Sequence, residues 1–178
     1  MDPREVKTKK SIHNAFLELR SGKELERITV KELCEKAEIS KATFYLHYKD
    51  IFDLSEYLQK DIAADIVKHI TDPEELIYDS PLGCKKLIES FYAHRGMIEI
   101  LFRGSQFSHL TEYLEAEIKE LVFGKFPGFR DDPYANVRLT YQLMGSFYAF
   151  YRYEKSFGYD AVMDSVEKIS GLFTIPKQ

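Results

Sequence analysis

The chain has no tryptophan, only two cysteines in 178 residues, six prolines and nine glycines. Cys34 and Cys84 stand far apart without CxxC spacing. Neither a disulfide framework nor a zinc site is expected, and no metal or other cofactor is assigned. No run approaches the ~18 consecutive apolar residues of a membrane helix. The opening Met1-Asp2-Pro3-Arg4-Glu5 carries acids and no apolar core, so no secretory signal is expected there. A reducing cytoplasm is the expected compartment, with no membrane partner. HExxH, a Gly-rich phosphate loop and GxSxG are all missing, and His13, His47, His69, His94 and His109 are scattered. No nucleophile–base constellation forms, so no catalytic residue is assigned and an enzyme is not expected.

Hydrophobic residues make up 44% and charged residues 30%, which fits a soluble globular chain of one or two domains and excludes disorder. The net charge of -4 argues mildly against nucleic-acid binding. It is unevenly spread. Residues 1–50 hold 11 Lys/Arg against 9 Asp/Glu; residues 51–178 hold 14 against 20. Of 25 aromatic residues, only Phe16, Phe44, Tyr45 and Tyr48 lie before residue 51. A mildly basic head of residues 1–50 and an acidic, aromatic body of residues 51–178 are the expected domains.

The whole chain reads as helix. Ile12, Ala15, Phe16 and Leu19 share one face of a segment from about Arg4 to Arg20, stopped at Ser21-Gly22. Thr29-Val30-Lys31-Glu32 is a capping box that starts a short helix ending near Ala37. Ser40 caps a third, ending near Tyr48, and Asp50 starts a fourth with Asp53 in its first turn. Two short helices joined at Glu38-Ile39 make a helix-turn-helix pattern, with Cys34 and Phe44 in its small core. Further helices are read at Leu82–Ala93, Met97–Phe102, Leu110–Phe123, from Pro133 to about Lys155, and from about Asp160 to Phe173.

The helix from Pro133 carries two apolar stripes. Val137, Tyr141, Met144, Tyr148 and Tyr151 form one; Leu139, Leu143, Ser146, Phe150 and Tyr153 form the other. An offset of two residues is about 200°, so the stripes face nearly opposite ways. Two stripes mean burial on two sides: a core on one and something else on the other. Paired with the last helix, this fits a four-helix homodimer seam of Leu139, Leu143, Phe150, Tyr153, Val162, Val166, Ile169 and Phe173. Enclosure within a monomer core is the alternative. Periodicity does not say which stripe faces a partner.

The run Ser40-Lys41-Ala42-Thr43-Phe44-Tyr45-Leu46-His47-Tyr48-Lys49-Asp50, with the preceding Ile28 to Ala37, resembles the DNA-binding region of TetR-family transcriptional regulators. The resemblance is close over about the first 55 residues and architectural beyond them. It implies an all-α protein, with a three-helix helix-turn-helix head and a helical body whose last two helices form a four-helix dimer interface. It also implies a homodimeric repressor on a palindromic double-stranded DNA operator, released by a small-molecule effector.

Side-chain chemistry agrees. Lys41 can donate to guanine, and Ala42 or the Thr43 methyl can pack on a thymine methyl. Tyr45, His47, Tyr48 and Lys49 suit phosphates at the helix end, with packing inside the head as the alternative for the two tyrosines; Thr29 and Ser40 cap helices, a role compatible with phosphate contact. Two positions depart from the family pattern: Glu38 replaces a common Gly in the turn, and Ile51 replaces a phosphate-contacting Lys.

For the body, the resemblance implies an effector pocket. Phe91, Met97, Phe102, Phe107, Tyr113, Phe147 and Tyr151 are its expected lining, although aromatics of this kind also serve as core. A co-regulator whose TetR-like body binds a protein partner is the competing expectation.

Overall fold

Side chains capping backbone amides mark several of the helix starts. The computed structural model describes residues 3–176, so Met1 and Asp2 of the opening segment lie outside it. Among the described residues there are ten α-helices and no strand: α1 (Pro3–Gly22), α2 (Val30–Ala37), α3 (Lys41–Tyr45), α4 (Ile51–Lys68), α5 (Glu75–Tyr78), α6 (Ser80–Ala93), α7 (Arg95–Leu101), α8 (Phe107–Lys125), α9 (Pro133–Phe157) and α10 (Tyr159–Ser170). The fold is all-α with an N-terminal helix-turn-helix head. Thr29, Ser40, Asp79 and Asp132 each accept an amide of the helix they precede. Asp132 is followed by Pro133, whose missing N–H is tolerated at a first helical position. No helix is long and apolar enough to cross a membrane.

Most spans agree with the periodic pattern. The row Leu54, Leu58, Ile62, Ile66 and Ile70 is buried as spacing predicts. Two details differ. α5 is not legible in the pattern, because a four-residue turn with Leu76 and Ile77 buried has no period. α3 ends at Tyr45 rather than near Tyr48. There the His47 amide bonds the Phe44 carbonyl at 2.9 Å, an i→i+3 tightening that turns the chain toward Asp50.

By its internal contacts the chain divides into two units. The first comprises Met1–Ile62 and Gly96–Gln106. Phe16, Leu33, Phe44, Leu54 and Leu101 are its buried centre. Arg20 is only 1% exposed there, and donates to the carbonyls of Lys23 at 2.8 Å and Arg103 at 3.3 Å. Gln59, also buried, donates to the Leu101 carbonyl at 2.9 Å. A buried polar group is tolerated when it is bonded in this way.

The second unit comprises Ala63–Arg95 and Phe107–Gln178. In it α6, α9 and α10 pack together, α8 lies on α9, and α5 on α6. Cys84, Ile88, Phe150, Val162, Met163 and Val166 form a shared core. α6 approaches α5 so closely that a Cβ at Gly83 would lie 2.9 Å from the Leu76 amide nitrogen.

Candidate nucleic-acid interface

α2 and α3 are joined by a tight turn. Glu38 adopts φ 55° and ψ 42°, the left-handed conformation that the glycine-preferring position demands. The Ile39 amide then bonds the Cys34 carbonyl at 3.0 Å, closing α2. Ser40 follows in extended backbone, and its Oγ accepts the Thr43 amide at 3.0 Å. Ser40 Oγ and Thr43 Oγ1 lie 2.8 Å apart. Two hydroxyls sharing one hydrogen bond leave one proton for an outside acceptor. At the start of α2, Thr29 Oγ1 accepts the Glu32 amide at 3.2 Å.

The short α3 is held from beneath. Phe44 is fully buried, and Cys34 is a buried free thiol whose pKa burial pushes up, against a smaller opposing effect of the Lys41 charge. Tyr48 is 5% exposed, and its Oη lies 2.7 Å from His13 Nε2. Its ring also meets Phe44 and Tyr57. Burial, then Tyr57, Asp53 and Asp61, hold its phenol well above the ordinary range. Tyr48, expected among the DNA-facing residues, thus anchors the end of α3 to α1 with its hydroxyl already engaged. Beyond it, Asp50 Oδ1 accepts the Asp53 amide at 2.8 Å and Asp53 Oδ2 accepts the Lys49 amide at 2.9 Å, which fixes the corner into α4.

What α3 leaves outward is Lys41, Ala42, Tyr45 and Leu46, with Thr43 and His47 half-buried and Lys49, Ser40 and Thr29 exposed. Tyr45 is 55% exposed and Leu46 82%. No ion pair to Lys41 or Lys49 occurs among the described residues. By contrast Lys23, Lys31 and Lys36 pair with Glu32, Glu35 and Glu18. Lys41 and Lys49 therefore place exposed positive charge on α3 and the turn after it. Leu46 and Phe52, both exposed, escape the sequence reading, because a lone apolar residue beside a core run reads as core. Ile51, where the family resemblance would place a lysine, is buried.

In the second unit, Phe91 and Phe147 meet edge to face at 5.2 Å, and Phe107 stacks on Tyr151 at 4.2 Å. Tyr113 is half-buried. Met97 and Phe102 belong to the first unit. Open grooves of about 210, 320 and 430 Å³ run along α9 and α10, and none of these seven residues lines them. The grooves are lined by Tyr153, Val162, Val166, Ile169 and Phe173, together with Tyr141 and Ala149 among others. Leu139, Leu143 and Phe150 are buried inside the chain, as are Val162 and Val166, whereas Tyr153 and Ile169 are exposed and Phe173 half-buried. The stripe that α9 turns outward is Val137, Tyr141, Tyr148 and Tyr151.

No protein-family profile matches the chain. Over 61 residues, 34% of the chain, it is 33% identical to the uncharacterized HTH-type transcriptional regulator YxbF of Bacillus subtilis. That stretch spans 16% of the relative's length. In fold it is similar to the fatty acid degradation regulator FadR from Bacillus halodurans, with a TM-score of 0.56, covering 96% of this chain and 95% of the other at 15% identity.

Proposed function

We propose that the chain is a TetR-like DNA-binding transcriptional regulator, which binds a palindromic operator as a homodimer and acts as a repressor released by a small-molecule effector. One observation carries the DNA-binding part: α3 is pinned from beneath by Phe44 and Tyr48 while Lys41, Ala42 and Tyr45 stand outward. A recognition helix needs that arrangement, with rigid seating and short or flexible side chains toward base edges. Residues 1–50 carry the reading surface and residues 51–178 the regulatory and dimerising part. Within that surface Lys41, Ala42 and Thr43 meet base edges, and Thr29, Ser40, Tyr45, His47 and Lys49 meet phosphates.

Homodimerisation is supported by the outward apolar stripe of α9. Val137, Tyr141 and Tyr148 are each more than half exposed, as are Ile169 and Leu172 beside them. Large contiguous apolar patches on a protein surface mark interaction sites. A dimer sets two recognition helices one helical turn of DNA apart, matching a palindrome.

The test is an electrophoretic shift of DNA fragments from the gene's own neighbourhood at low salt. A discrete shift is expected with the wild-type chain, unchanged in Glu112→Ala. Tyr45→Ala should weaken it by about 1–3 kcal/mol, or roughly 5- to 150-fold. No shift with any genomic fragment would sink the reading.

A second reading, a co-regulator whose body binds a protein, draws on the ion pairing of Lys23, Lys31 and Lys36, which lowers the charge offered to phosphate. A stoichiometric protein partner recovered with no operator would favour it.

A further inference from the structure

The C-terminal ends of α4 and α6 each carry a histidine. His69 follows the last residue of α4, and His94 caps α6. Helix ends leave their last carbonyls without donors, and here imidazoles supply them. His69 Nδ1 lies 2.9 Å from the Asp65 carbonyl, and His94 Nδ1 lies 2.7 Å from the Ser90 carbonyl. A carbonyl only accepts, so both Nδ1 atoms carry the proton. A neutral imidazole protonated there presents its lone pair at Nε2. Nδ1–H held by a carbonyl is the arrangement that orients a histidine for metal ligation.

Ser90 ties the two rings together. Its Oγ donates to the Ile66 carbonyl at 2.9 Å and lies 3.3 Å from His69 Nδ1, while its carbonyl receives His94. The ring centroids are 5.8 Å apart. That lies within the about 6.4 Å that two imidazoles sharing one ion can span, with metal–nitrogen bonds of about 2.0–2.1 Å. His69 is exposed and His94 half-buried, and the hydrogen bonds of both rings run through Nδ1. The partial negative charge of two helix C-termini favours a cation at this place. The neighbouring cations have carboxylates of their own: Arg95 pairs with Glu154 at 3.0 Å, and Lys68 lies 3.9 Å from Asp65.

We propose that His69 and His94 form a two-histidine site for a divalent transition-metal ion of the class that favours imidazole, namely Cu²⁺, Ni²⁺ or Zn²⁺. Capping uses only Nδ1; the second nitrogen of each ring is what the ion takes. Among the described residues no set of three or more His, Cys, Asp and Glu is grouped to hold a metal, so water fills the remaining positions. Such a site ranks ions by the intrinsic order, Cu²⁺ above Ni²⁺ and Zn²⁺. It stands independently of DNA binding.

Calorimetric titration of the tag-free, EDTA-treated full chain with Cu²⁺ tests the site. One equivalent per chain is expected, weakened at least roughly tenfold in His69→Gln and in His94→Gln. The double variant should lose that equivalent, while His109→Gln keeps it. Glutamine retains an N–H donor for the helix-end carbonyl, and a melt in EDTA checks that the fold survives. Should a variant unfold, electron paramagnetic resonance of the Cu²⁺-loaded wild-type chain replaces it, with two coupled imidazole nitrogens expected. No bound equivalent, wild-type affinity in the double variant, loss of binding in His109→Gln, or a single coupled nitrogen would each overturn the proposal.

Discussion

Glu38 holds a backbone conformation that glycine adopts without a Cβ clash. Its carboxylate also sits at the negative end of α2, where an anion is disfavoured. Glu38→Gly is expected to stabilise the head by roughly 0.5–1 kcal/mol, the relief of the left-handed strain less the added freedom of the unfolded chain. Thermal denaturation followed by circular dichroism checks it. His13 makes a pH-dependent contribution. Burial lowers its pKa, with Asp61 opposing and Lys9 reinforcing the shift. Its folded pKa lies below the unfolded value, so its contribution is complete above about pH 6.5 and is lost as pH falls through the folded pKa. Urea midpoints should decline from about pH 7.5 to about pH 5.5, and His13→Gln should flatten that decline. Nothing in the spacing of His13 announces this role, because its partner Tyr48 stands 35 positions away and is brought there only by folding.

At the scale of elements, caps and periods were the legible part. Thr29, Ser40 and Asp132 announce helix starts because short polar side chains can reach amides two or three residues on. Periodicity finds both stripes of α9 but ranks neither, since each is apolar and evenly spaced. Packing ranks them: Leu139, Leu143 and Phe150 go inward, and the tyrosine-rich stripe stays out. Tyrosine tolerates that exposure because its hydroxyl remains solvated. The close approach of α6 to α5 was not legible, because a glycine inside a helix gives no sign of what faces it. Gly83→Ala is expected to destabilise the chain by about 1–3 kcal/mol, since the added methyl meets backbone that cannot swing aside. A lowered midpoint in chemical denaturation is the readout.

For the whole molecule, the net charge of -4 says little about the face of α3, where Lys41 and Lys49 are exposed. The exposed stripe of α9 and the grooves beside it lead to a further expectation. Tyr141→Glu places a charge where a self-complementary interface of roughly 800 Å² per partner would form. Sedimentation should then show a monomer for the variant and a dimer for the wild-type chain, and the DNA shift should fall with it. The first unit carries one more consequence, for the order in which the chain is made. Arg20 and Gln59 find carbonyl partners at Arg103 and Leu101, so the unit is assembled from two separated stretches. During synthesis at roughly 5–20 residues per second, the N-terminal stretch is made seconds before the last segment of the unit. Until then a buried guanidinium lacks one of its acceptors, and the head waits, incomplete, for residues still to be translated.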